Sequence, residues 1–172
     1  MIQTIQSLPI PVVCAVNGVA AGAGANIPLA CDLIIAGRSA KFIQAFCKIG
    51  LIPDSGGTWF LPRLVGMAKA KEMALLGEPV NAEAALEMGL VNRVVDDEML
   101  REEALVVAKH LATQPTKGLA YIKRALNQTF DNGFEEQLLL ERDLQRLAGR
   151  TQDYREGVAA FMAKRTPEFK GE

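Results

Sequence analysis

Between Met1 and Cys31 the chain has no Asp, Glu, Lys or Arg, although 23% of its 172 residues are charged. A stretch so short of charge belongs inside a fold. It does not read as a secretory signal, because no basic residue precedes the small residues Ala20–Ala25. Pro9, Pro11 and Asn17 interrupt the apolar run, which also makes a membrane span a poor reading. Histidine is nearly absent. His110 is the only one, which excludes a metal centre built on a histidine cluster, and its place at a helix end reads as structural. The three cysteines, Cys14, Cys31 and Cys47, show no C-x-x-C spacing and read as small buried thiols in a reducing, cytoplasmic compartment. Nineteen basic against twenty acidic residues leave a net charge of −1, with no field to attract nucleic acid or a membrane surface.

What is present is apolar and unevenly arranged. Hydrophobic residues make up 49% of the chain, enough for a core in one domain or in part of a larger one. Residues 1–95 hold 13 charged side chains and residues 96–172 hold 26. The first part is expected to be an α/β core and the second a set of helices with one wet face. Val12–Val16 reads as a buried strand closed at Asn17-Gly18, Asp32–Gly37 as a second, Lys41–Ile43 as a short third, and Leu90–Val94 as an edge strand. A helix is expected after Gly57, and Asn81 is a plausible cap for another that stops at Gly89. Beyond Asp96, apolar stripes on Leu100–Leu111, Leu119–Leu126, Leu140–Leu147 and Tyr154–Phe161 predict four helices. So few strands leave an open sheet edge that something must cover.

Few residues are placed for chemistry. Gly22 and Gly24 open a glycine-rich turn after a strand, but Ile27 stands where a dinucleotide fingerprint needs its third glycine. What remains is a helix start with free N–H groups able to stabilise an oxyanion, weighed against simple close packing. Asp54 is the only charged residue between Lys48 and Arg63 and lies among Ile49, Leu51, Ile52 and Pro53. Burial there would suit a carboxylate that takes and returns a proton. The bland alternative is an N-cap for the following helix. Ser55 lacks the frame of a nucleophilic serine. Phe161, Lys164 and Arg165 are arranged to hold an adenine and a phosphate, or simply to be solvated.

The run Pro11–Gly24, then Cys31-Asp32, then Gly50–Thr58 resembles the crotonase (enoyl-CoA hydratase/isomerase) family. Gly89–Val95 and Phe161–Phe169 are similar to the same family, so the resemblance spans the chain. It implies the C-terminal two-thirds of a crotonase-like ββα spiral core, residues 1–95, with an all-helical extension, residues 96–172, used for oligomerisation. It further implies an acyl-CoA thioester substrate, an enolate held by two peptide amides, and no cofactor beyond the coenzyme A of the substrate. The Ala23 amide matches the second donor, and one such donor is typically worth roughly 3–4 kcal/mol. Pro53–Trp59 and Arg142–Arg150 look most like the phenylacetate-degradation branch, which converts ring-1,2-epoxyphenylacetyl-CoA to the oxepin.

Two departures narrow that implication. Hydratases of the family use two glutamates, and the matching positions are Asn26 and Phe46, neither of which is a base. Asp54 matches the acid of several isomerases in the family, so it is expected to shuttle a proton between carbons of the acyl group. Asn26 and Phe46 are then expected to touch the substrate, and Phe161 and Lys164 its nucleotide end. Family members also carry roughly 80–90 further residues ahead of this point, including the first oxyanion amide. The resemblance implies homotrimers or dimers of trimers, with no nucleic acid or membrane partner. A non-catalytic remnant that assembles with family members, and an enoyl-CoA hydratase, are the alternatives.

Overall fold

The computed structural model describes every residue from Met1 to Glu172. The chain is α/β and divides into two compact units, Met1–Gln6 with Val12–Val107, and Ser7–Pro11 with Ala108–Glu172. The division falls inside the helix Leu100–Ala112. Leu100 and Val107 on the first half of that helix are buried, and Leu100 packs near Gly37.

Along the chain, α1 (Ile2–Ser7) precedes β1 (Val13–Val16), β2 (Val19–Ala21), α2 (Ala23–Asn26), β3 (Leu33–Gly37) and β4 (Lys41–Ile43). Then follow α3 (Gly57–Leu76), β5 (Val80–Asn81), α4 (Ala82–Glu87), β6 (Arg93–Val95) and α5 (Leu100–Ala112). The strands form two three-stranded sheets, ordered β1-β3-β6 and β2-β4-β5. β1 and β3 pair in parallel with Cys14 opposite Ile34, and β2 and β4 do so with Ala20 opposite Phe42. Gly18, at φ 68°, turns β1 into β2, so consecutive strands enter different sheets. The pair β3–β4 repeats this one step along, which makes a ββα spiral. β1 and β2 each have a neighbour on one side only.

The core between these elements contains Val16, Ala25, Leu29, Ile34, Phe42, Leu61, Met73 and Leu90. Side-chain acceptors fix its start and end. Asp32 Oδ2 accepts from the Val12 N–H at 2.7 Å, and Asn92 Oδ1 accepts from the Ile34 N–H at 2.7 Å. Asn81 caps α4 as expected, accepting from the Ala84 N–H at 2.8 Å. The α3 helix carries Pro62 and breaks at Gly66, whose φ of 77° and ψ of 159° are not helical.

The second unit contains α6 (Thr116–Gln128), α7 (Phe134–Ala148) and α8 (Gln152–Met162), as the sequence pattern predicts. Leu144 and Ala160 are buried there, and Gln137 Nε2 donates to the Ala125 carbonyl at 3.1 Å. The C-terminal tail returns to α8. Asp153, itself buried, accepts from the N–H groups of Lys170 at 2.7 Å and Gly171 at 2.8 Å. Glu156 binds Arg165 through both oxygens, at 2.6 and 2.8 Å, and accepts from the Glu168 N–H at 2.8 Å. No helix is long and apolar enough to cross a membrane.

Candidate active site

The site grows from the turn that follows β2. The Gly22 N–H donates to Ile43 of β4 at 2.9 Å, and Gly22 then adopts φ 55°, a conformation that favours glycine. A side chain there would also meet the Phe46 ring, at 3.6 Å from its Cζ. Phe46 is therefore the buried support beneath the turn. With the chain reversed by Gly22, α2 starts at Ala23, whose N–H has no acceptor within the chain.

At the other end of α2, Asn26 is 0% exposed. Its Nδ2 donates to the main-chain carbonyl of Asp54 at 2.9 Å, and its Oδ1 accepts from Gln44 Nε2 at 2.7 Å. The same Asp54 carbonyl accepts from the Gly57 N–H at 2.8 Å. Asn26 thus joins the helix that carries the Ala23 amide to the turn that carries Asp54. It was expected to touch substrate; instead both ends of its amide are engaged inside the protein.

The turn itself is tight. Ser55 and Gly56 have φ of 50° and 80°, two left-handed residues in succession, and the serine pays the steric cost of a Cβ there. Asp54 does not cap α3. Gly56 occupies the N-cap position and Gly57 begins the helix. The Asp54 carboxylate makes no hydrogen bond or ion pair within the chain, so it is not consumed by structure.

The expected burial of Asp54 is not found: the residue is exposed. The apolar residues beside it in sequence face outward too, with Ile49 73%, Leu51 60% and Ile52 79% exposed. Sequence neighbours cannot desolvate a carboxylate when the segment carrying them lies on the surface. The predicted nucleotide contacts, Phe161 and Lys164, belong to the second unit, and both are exposed. Gln44, 2% exposed and bonded to Asn26, is the site residue that sequence reasoning missed. A glutamine directly after a strand carries no periodic signal to mark it.

The thiols are free and half-buried. The Cys14 thiol is pushed well up by hydrogen bonding with Cys31 and then by burial, which makes it a poor nucleophile.

Comparisons with known proteins identify the family. The sequence model of the enoyl-CoA hydratase/isomerase family matches residues 1–172. The 1,2-epoxyphenylacetyl-CoA isomerase of Escherichia coli K12 is 58% identical over 171 residues, covering 99% of this chain and 65% of that protein. A probable enoyl-CoA hydratase of Rhodobacter capsulatus is 50% identical, covering 99% and 66%. The crystal structure of an enoyl-CoA hydratase from Polaromonas sp. JS666 superposes with a TM-score of 0.94 at 38% identity, covering 98% of this chain and 66% of that one. The chain therefore spans about 65% of the length of these relatives.

Proposed function

The chain belongs to the enoyl-CoA hydratase/isomerase family, and on that premise we propose that it is the larger part of an acyl-CoA isomerase with Asp54 as its proton shuttle. The observation that carries this reading is the carboxylate of Asp54, unspent on capping or pairing, on a turn tied by Asn26 to the helix of the Ala23 amide. The thioester carbonyl oxygen accepts from the Ala23 N–H, and polarisation of that carbonyl acidifies the α-carbon. Asp54 removes the α-proton, the C–H electron pair enters the enolate, and the proton returns from Asp54 to another carbon. This is acid–base chemistry on the substrate's own thioester, with coenzyme A as a part of the substrate and not a cofactor.

The absence of a carboxylate at 26 and 46 favours isomerisation over hydration, since both positions that hold glutamate in hydratases are occupied here by Asn and Phe. The 58% identity to a relative named as a 1,2-epoxyphenylacetyl-CoA isomerase supports a ring-epoxidised arylacetyl thioester as the substrate class. Ile49, Leu51 and Ile52 beside Asp54 are exposed, and cover over this apolar surface would desolvate the acid.

Homotrimers account for the second unit. An apolar groove of about 860 Å3 lies between α6, α7 and α8. The stripes Ile122–Leu126 and Tyr154–Phe161 face outward, Phe161 being 82% exposed. A subunit interface covers surface of this kind. Free thiols and an even charge balance fit a cytoplasmic enzyme.

The test is α-proton exchange of phenylacetyl-CoA in D2O, with the N-terminal third of a relative added as a separate polypeptide. Asp54→Asn is expected to slow exchange by about 100-fold or more while leaving thioester binding in place. Exchange at the parent rate defeats the assignment. Water addition to crotonyl-CoA that survives Asp54→Asn supports the hydratase instead, and absence of any binding supports a non-catalytic remnant.

A further inference from the structure

We propose that Gln44 is a positioning residue for Asp54, acting through Asn26, whose amide orientation it fixes. The inference rests on the assignment of Asp54 as proton shuttle. Four groups lie in one line: Gln44 Nε2 donates to Asn26 Oδ1 at 2.7 Å, Asn26 Nδ2 to the Asp54 carbonyl at 2.9 Å, and the Gly57 N–H to that carbonyl at 2.8 Å. A carbonyl oxygen can only accept, and an amide nitrogen only donates. Asn26 has two nearly isosteric orientations, and only one of them presents Nδ2 to Asp54. The Gln44 donor selects that orientation, because the flipped amide would set nitrogen against nitrogen on one side and oxygen against oxygen on the other.

Burial sharpens the point. Gln44 is 2% exposed, and its Oε1 is buried with no partner. Space-filling alone is served better by an apolar side chain of the same size, which leaves no acceptor unsatisfied. What such a side chain cannot do is hold Asn26 Oδ1. The turn that receives this bond contains Ser55 at φ 50°, a conformation that persists only where the surroundings impose it. The bond to the Asp54 carbonyl is one such constraint, and the missing Cβ of Gly57 leaves the room for it. An ideal Cβ there would lie 2.6 Å from Asn26 Cγ.

The same line of bonds limits which acids the site accommodates. An ionised carboxylate at 26 offers no donor to the Asp54 carbonyl and places like partial charges together. A charged acid at 26 would therefore remove one of the two bonds that the Asp54 carbonyl accepts.

The experiment compares Gln44→Met and Gln44→Glu in the 172-residue chain by NMR-detected amide exchange at Gly57, with Ile35 of β3 as the internal reference. Gln44→Met is expected to speed Gly57 exchange about tenfold or more relative to Ile35. In Gln44→Glu, burial keeps the acid protonated, its O–H replaces the lost donor, and exchange stays within about twofold of the parent. Where substrate α-proton exchange is measured alongside, Gln44→Met lowers kcat with KM unchanged and Gln44→Glu restores it. Parent-like Gly57 exchange in Gln44→Met, or Gln44→Glu behaving like Gln44→Met, overturns the proposal. Should Gln44→Met lose protection at Ile35 as well, Asn26→Ala, which removes both the donor and the acceptor, decides: Gly57 exchange faster relative to Ile35 supports the proposal and parent-like exchange overturns it. The amide readout needs no turnover, so a parent chain without α-proton exchange counts against the Asp54 shuttle alone.

Discussion

Asn26 fills the space that a side chain on Gly57 would need: a Cβ built there lies 2.6 Å from Asn26 Cγ and 2.7 Å from its Oδ1. Gly57 has an ordinary helical backbone, so the glycine is demanded by its neighbour and not by its dihedral angles. Gly57→Ala is expected to destabilise the first unit by about 2–3 kcal/mol, the cost of overpacking a buried contact that cannot relax outward. Urea unfolding monitored by Trp59 fluorescence checks the value, and a change under about 0.5 kcal/mol contradicts the contact.

The tail of the second unit predicts a pH effect. Arg165, the Glu168 N–H and, more weakly, Lys170 hold the Glu156 carboxyl down from 4.5 to about 2. Because the folded value is depressed, its stabilisation is present above pH 4.5 and is lost as the pH falls toward about 2. Glu156→Gln should flatten the dependence of second-unit stability on pH within that window, leaving the region above it unchanged in shape. Thermal melts between pH 5 and 2 on both proteins show this, and parallel curves would refute it.

Asp153 fastens the same tail by a different route. Its buried carboxylate is the acceptor for the amides of Lys170 and Gly171. Asp153→Ala strands both donors and is expected to cost about 2–3 kcal/mol. Amide exchange at Lys170 and Gly171 should rise first, before that of Leu144.

Assembly is checked by mass. If the outward stripe of α8 forms a subunit interface, the parent elutes at three times its chain mass of 18.6 kDa. Phe161→Glu then lowers the mass toward a single chain, since a charge at the centre of an apolar interface is left unpaired. An unchanged mass places the interface elsewhere.

Much of the fold is legible in the residues, and the exceptions have physical causes. The helices after Asp96 follow their apolar stripes because a long amphipathic period leaves little choice of structure. The strand β2 is hidden in Val19–Ala21, where three residues among glycine and alanine look like the start of a helix. Only pairing with β4 makes them a strand, and pairing is not a local property. Leu90–Val94 is displaced to Arg93–Val95 because Leu90 and Val91 are taken into the core and Asn92 pairs with Ile34. The Ala23 turn and the Asp54 turn were readable as separate features. Their connection was not, because it runs through the buried amides of Asn26 and Gln44, whose partners lie 28 and 18 positions away along the chain.

The Asp54 turn is anchored through its main-chain carbonyl, which accepts from the Asn26 side chain and the Gly57 N–H, while its carboxylate extends from it without a partner. Gaining or losing a proton therefore breaks none of the bonds that keep the residue in place. If Asp54 is the proton shuttle, it cycles between its neutral and anionic forms on a fixed frame, and each new cycle starts from the same geometry as the last.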